Sequence, residues 1–169
     1  MFIKYIFMFL IFLISLLIGN AISTKYQERV IELKDFKSAL NLLKAKIKYT
    51  YEPIPEIFLE ISKKFDSTIG DIFRISRDKM KKIPAGKAWE STIDEYNLLN
   101  ISKEDKKILN GLGKLLGKTN KDGQISEIEL TEQFLDMQIE KAEKERIKNE
   151  KLYKTLGGIV GCTLVIILI

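Results

Sequence analysis

The 169-residue chain has no histidine, one cysteine, three prolines and one tryptophan. Each scarcity excludes something. Without histidine the chain lacks the side chain that most often serves as a general base near neutral pH and as a transition-metal ligand. With Cys162 as the lone thiol, no disulfide framework can form, and a reducing compartment is allowed. Three prolines and few turn clusters leave long stretches free to stay helical. Strand-like alternation of period two is absent, as are internal repeats and low-complexity linkers. No basic stretch is interleaved with stacking aromatics, so the net charge of +5 reads as solvated helical faces near a membrane, and no nucleic acid is expected as a partner.

What the chain does have is two apolar ends. Met1 to Ile22 holds one charge, Lys4. Gly19 and Ala21 are spaced like a signal-peptidase site, but the segment is long enough to cross ~30 Å of hydrocarbon and its basic flank follows it, at Lys25, Arg29, Lys34 and Lys37. An uncleaved anchor is the preferred reading. At the other end, residues 156–169 carry no ionisable group besides the Cys162 thiol and the terminal carboxylate. A helix of that length rises ~21 Å, enough to span if Leu152 and Tyr153 enter the interface and Lys151 and Lys154 snorkel, or else to insert into one leaflet. Lys144, Arg146, Lys148, Lys151 and Lys154 precede it. Both flanks place the middle of the chain in the cytoplasm, with both termini outside.

Between the ends the spacing predicts an all-α fold: roughly six helices forming a bundle over 24–155, flanked by transmembrane segments at 1–23 and 156–169. Leu33, Phe36, Leu40, Leu43 and Ile47 step by three and four. Pro53 and Pro55 open a second helix with Ile57, Phe58, Ile61 and Phe65 on one face, and Ile69, Ile72, Phe73 and Met80 mark a third. After Pro84 a fourth carries Ala88, Trp89, Ile93 and Tyr96. Ser102 to Asp105 is a capping-box pattern opening a fifth, with Ile108, Leu109, Leu112, Leu115 and Leu116. A turn over Gly117–Gly123 precedes a long final helix from Ser126 that runs on into the apolar tail, with Ile128, Leu135, Ile139, Ala142 and Leu152 on its face.

Three motifs that suggest chemistry do not meet its requirements. Gly113 and Gly111 stand three and five residues before Gly117-Lys118-Thr119, whereas a phosphate loop needs four and follows a strand. Gly113 is instead read as a close helix approach, and Gly117 as a left-handed helix end. Asn120 to Glu129 resembles half of a calcium loop, but the first ligand position is Lys118, so Asp122 is read as part of an Asp-Gly turn. Glu52, Glu56, Glu60 and Glu90 have neither a nucleophile nor a histidine to work with and are read as surface charges. No catalytic residue, metal or cofactor is expected.

Taken in order, Phe36-Lys-Ser-Ala-Leu40, Ile47-Lys-Tyr49, Glu52-Pro53-Ile-Pro-Glu56, Ala88-Trp89-Glu90, the Leu109 to Asp122 stretch, Ala142-Glu-Lys-Glu145 and Tyr153-Lys-Thr-Leu-Gly157 resemble the stage III sporulation protein AB family of endospore-forming bacteria. The likeness spans nearly the whole chain. Glu52 stands where the pattern would have a small polar residue. The resemblance implies a component of the channel between mother cell and forespore, in the mother-cell membrane. It also implies a helical domain similar to a cytoplasmic domain of the type II secretion and type IV pilus platform protein. The partners it implies are the secretion-type ATPase stage III sporulation protein AA and the membrane channel proteins. Membrane lipid and self-association are further partner expectations, and a sensor or signalling anchor without an ATPase is the alternative function.

Two sets of residues follow as candidates. Pro53, Glu56, Trp89 and Glu90 are expected to line a partner-facing surface, the alternative being a core position for Trp89. Ser15 and Gly19, and Gly157 and Gly161, are each four apart, and these small faces are expected to pack the two membrane segments on each other or on channel partners.

Overall fold

The computed structural model describes residues 2–65, 67–97 and 99–168. Among them all regular structure is helical: α1 (Phe2–Tyr49), α2 (Ile54–Lys64), α3 (Thr68–Lys79), α4 (Ala85–Glu95), α5 (Lys103–Leu112) and α6 (Lys121–Leu168). The chain is all-α. The apolar ends are continuous with helices of the bundle: the C-terminal one as expected of a last helix that runs on into the apolar tail, the N-terminal one without the break that a separate first helix would have. They are the outer parts of α1 and α6, each 48 residues long. No glycine or proline stands between Asn20 and Tyr49, so nothing interrupts the i to i−4 hydrogen bonds where the apolar run meets the Leu33–Ile47 stripe. Met1 and Ile169, the outer ends of the two expected spans, lie outside the described residues, as do the side chains of Lys4 and Lys154.

The shorter helices start and stop for local reasons. Thr50 closes α1 on the Lys46 carbonyl, and Tyr51 and Glu52 lead to Pro53, which biases its predecessor away from helix. Pro53 caps α2 with its carbonyl, accepting from the Glu56 and Ile57 amides. No side chain caps that end; Glu52 turns back to Lys46 at 3.5 Å instead. Ser102 Oγ accepts from the Asp105 amide at 3.1 Å and Asp105 Oδ2 accepts from the Ser102 amide at 2.7 Å, a reciprocal box that opens α5.

Two boundaries differ from expectation. α5 ends at Leu112 rather than near Leu116, leaving Leu115 exposed. α6 begins at Lys121 rather than Ser126. Asn120 Oδ1 accepts from the Gly123 amide at 2.9 Å, a side-chain cap, so Lys121-Asp122-Gly123 forms the first helical turn instead of a loop.

The helices group into two compact units, Ile31–Glu140 and Met1–Val30 with Lys141–Ile169. The first has a core of large apolar side chains. Leu33, Phe36, Leu40 and Leu43 of α1, Ile57, Phe58 and Ile61 of α2, Ile69, Ile72 and Phe73 of α3, Trp89 and Ile93 of α4, Leu109 of α5, and Ile128 and Leu135 of α6 are all buried. Each such side chain stabilises the fold by about 1.5–3 kcal/mol relative to exposure. In the second unit the ends of α1 and α6 lie antiparallel: Phe12 and Ser15 meet Gly161, Gly19 meets Gly157, and Arg29 meets Glu145. Phe9–Tyr49, within α1, is long and apolar enough to cross a membrane. The second span expected at 156–169 does not meet the same measure among the described residues.

Candidate functional site

Within Ile31–Glu140 the region to build from is the end of α5. There the Gly113 amide bonds to the Asn110 carbonyl at 3.1 Å, tightening the last turn and releasing the Leu109 carbonyl from its usual partner. The Trp89 indole N–H donates to that oxygen at 2.7 Å. Its ring is fully buried, edge-on to Phe36 and Phe58 and tilted against Phe73, with centroids 5.3–6.4 Å apart. Trp89 therefore does not line a partner-facing surface. Its aromatic area is satisfied inside the core and its one polar atom has a carbonyl there.

Around this point three segments converge. A Cβ on Gly86 would sit 1.9 Å from the Gly113 carbonyl oxygen, and one on Gly113 would sit 2.6 Å from Glu90 Cγ and 2.8 Å from the Gly86 carbonyl oxygen. The α4 backbone and the turn after α5 touch because neither has a side chain. Gly117 has a φ of 73°, the left-handed region, and a Cβ there would meet Ala85 Cβ at 3.2 Å and Ile54 Cδ1 at 3.5 Å. Its amide donates to Gln124 Oε1, which ties the turn to α6. The first turns of α2 and α4 thus meet the 113–118 turn at one corner. Pro53 and Glu56 are exposed at the α2 end of that corner, Glu90 is half-buried against Gly113, and Asp122 is exposed in the first turn of α6.

Two further features border these elements. Lys46 hydrogen-bonds Glu60 and also faces Glu52; that bond holds the Glu60 carboxyl below its ordinary value and raises the Lys46 ammonium. Lys44 bonds Glu132 and Lys37 bonds Asp136, both at 2.5 Å, linking α1 to α6. Sequence reasoning missed an open groove of about 530 Å³ along α5 and α6, floored by Ile108, Leu130, Phe134 and Met137 and edged by Glu104 and Lys107. Leu130, Phe134 and Met137 step by four and three, a second apolar stripe beside Ile128 and Leu135 that periodicity could have found.

The other unit brings its four small residues together. Ser15 Oγ donates to the Gly157 carbonyl at 2.7 Å. A Cβ on Gly19 would fall 2.6 Å from the Tyr153 carbonyl oxygen and 3.2 Å from Gly157 Cα, and one on Gly161 would fall 3.3 Å from Ser15 Cβ. Tyr26 and Tyr153 stack at 6.0 Å, and Arg29 bonds Glu145 at 2.5 Å. Mutual burial, their hydrogen bond and the Glu145 charge raise the Tyr26 phenol.

Comparison with known proteins assigns this arrangement to a family. The family model described as stage III sporulation protein AB matches residues 4–169. The stage III sporulation protein AB of Bacillus subtilis (strain 168) is 28% identical over 153 residues, covering 89% of this chain and 90% of that protein. A solved structure of a stage III sporulation protein AB has a TM-score of 0.67 with 23% sequence identity, covering 72% of this chain and 98% of that chain, a likeness of fold. The chain belongs to the stage III sporulation protein AB family.

Proposed function

We propose that this protein is a non-enzymatic, membrane-anchored assembly component of the channel between mother cell and forespore. In this reading both apolar ends cross or enter the mother-cell membrane, and the helical unit lies in the mother-cell cytoplasm. There it holds the secretion-type ATPase stage III sporulation protein AA and connects it to the membrane channel proteins. The observation that carries the reading is the seam of Ser15, Gly19, Gly157 and Gly161. An apolar segment packed backbone to backbone against the membrane-length part of α1 suits a bilayer, where lipid supplies no hydrophobic drive and close contact replaces it. Family membership supplies the sporulation context.

The ATPase contact is assigned to the exposed α2 end of the corner, Pro53 and Glu56, with Glu90 at its edge. A proline-fixed first turn presents the Glu56 carboxylate with little conformational freedom to lose on binding. The test is co-purification of the full chain, in detergent, with its cognate ATPase. Glu56→Lys should abolish retention while leaving the helical melt unchanged, and Glu90→Gln, which keeps the side chain's shape against Gly113, should weaken retention. Full retention by both variants, or no retention by the parent chain, would refute the assignment.

A further inference from the structure

The outer face of α6 in the unit of the chain ends sorts its charges. At about 100° per residue, Tyr153, Gly157 and Gly161 mark the side packed on α1, and Lys141, Lys144, Lys148 and Lys151 all fall on the opposite half of the helix. Of the acids from Lys141 onward, Glu143 and Glu150 fall on the packed side, and Glu145, as far from the seam as Lys151 but on the other side of the helix, is bound to Arg29. The last two lysines edge an open cleft of about 410 Å³ lined by Ile147, Lys148, Lys151, Leu152, Thr155 and Leu156. Both lysines are exposed, and Ile147, Leu152 and Leu156 are 67%, 43% and 43% exposed. Cations therefore stand on one side of an apolar strip that continues toward the uncharged end of the helix.

We propose that this cleft binds an anionic phospholipid, with Lys148 and Lys151 on the headgroup phosphate and Leu152 and Leu156 against the acyl chains. The proposal rests on the reading that the apolar end of α6 lies in the bilayer. From Lys151 to Leu156 the helix rises ~7.5 Å, the depth over which an interfacial segment passes from headgroups into acyl chains. The lipid is anionic rather than zwitterionic because a choline or ethanolamine ammonium would meet Lys148 and Lys151 at the edge of the cleft. Each lysine near such a surface favours anionic lipid by roughly fivefold.

Cys162 lies on the same half of α6, deeper along the apolar end, and is exposed, so it can report both insertion and selectivity. The full chain, labelled there with a fluorophore, is reconstituted in phosphatidylcholine vesicles. These carry a trace of acyl-chain nitroxide on either phosphatidylglycerol or phosphatidylcholine. Both lipids should quench, with the phosphatidylglycerol probe half-effective at a concentration lower by about fivefold or more. Lys148→Gln/Lys151→Gln should bring the two to parity, with quenching by phosphatidylcholine unchanged. Lys25→Gln, which removes one charge at the same level of the antiparallel pair, should preserve the preference. Equal quenching by the two lipids in the parent chain overturns the site alone, as does a loss of preference in Lys25→Gln as large as in Lys148→Gln. Quenching by neither lipid overturns the membrane placement of α6 and the site with it.

Discussion

In Ile31–Glu140 the helices meet through large side chains: Trp89, Phe36, Phe58 and Phe73 touch ring to ring, with Leu and Ile around them. In the unit of the chain ends they meet through Ser15, Gly19, Gly157 and Gly161, while Phe7, Phe9, Leu17, Ile18, Ile159 and Ile166 point outward and exposed. The two regions invert each other. In water, assembly follows from hiding apolar area, so the bulky residues go inside. Where the surroundings are themselves apolar that drive vanishes, and what remains is dispersion and hydrogen bonding at short range, which small residues permit. On the proposed membrane placement, one chain carries a packing pattern suited to each surrounding.

The comparison breaks first, and by the largest margin, at the bulky core. Trp89→Ala removes the ring at the centre of the aromatic cluster and leaves the Leu109 carbonyl without its donor, so it should cost about 3–5 kcal/mol in a urea melt of the full chain in detergent. Leu40→Asp should be at least as severe, because a buried carboxylate without a partner costs several kcal/mol. Trp89→Phe separates the two roles of the indole: it keeps most of the packing and should cost about 1–3 kcal/mol for the unpaired carbonyl. A melt unchanged by Trp89→Ala would contradict the core placement.

The seam should respond in a different observable. Gly157→Ile forces a branched side chain against the Ser15 carbonyl and the Gly19 backbone. It should leave the urea melt of the helical domain in place and weaken sporulation and recovery of the membrane complex. If the melt shifts as much as for Trp89→Ala, the two regions are not distinct in the way described. Gly117→Ala should cost roughly 1–2 kcal/mol from its positive φ alone, measured by the same melt.

The smallest effect concerns Lys46 and Glu60. Glu60 has a depressed carboxyl, so its contribution is present above the ordinary carboxylate value and lost as pH falls through the lowered one. Lys46 is raised, so its contribution is present below the ordinary lysine value and lost as pH rises through the raised one. Glu60→Gln should therefore weaken the melt slightly near neutral pH and not at all in acid, and added salt should shrink the difference. A larger effect in acid than at neutrality would reverse the sign and contradict the pairing.

Much of the fold was legible because it is periodic. The stripes Leu33–Ile47, Ile57–Ile61, Ile69–Phe73 and Ala88–Ile93 face the core, and the Ser102 capping pattern is formed. What misled was non-local or ambiguous. Trp89 looked able to serve a surface because its carbonyl partner, Leu109, is freed only by the way α5 ends twenty residues later. The Lys121-Asp122-Gly123 stretch looked like a turn because an Asp-Gly pair usually is one, yet Asn120 caps it into α6. The N-terminal apolar end looked like a separate helix because hydropathy changes sharply at Ser23, although backbone geometry does not, whereas the run of the last helix into its apolar tail was legible. The small-residue spacing was visible in each segment, but the pairing of Ser15 with Gly157 and Gly161 depends on a register that a single sequence does not encode locally.

The measurement that bears most directly on the contrast between a bulky core and a small-residue seam is cysteine crosslinking of the full chain in native membranes. In a Cys162→Ala background, Ser15→Cys with Gly161→Cys places two Cβ atoms about as close as a disulfide requires, since a Cβ on Gly161 lies 3.3 Å from that of Ser15. Leu17→Cys with Gly161→Cys, with Leu17 60% exposed, is the control. The account predicts rapid oxidation of the first pair within single chains and none of the second. Absence of a crosslink at Ser15 and Gly161, with crosslinking at Leu17 instead, would contradict it.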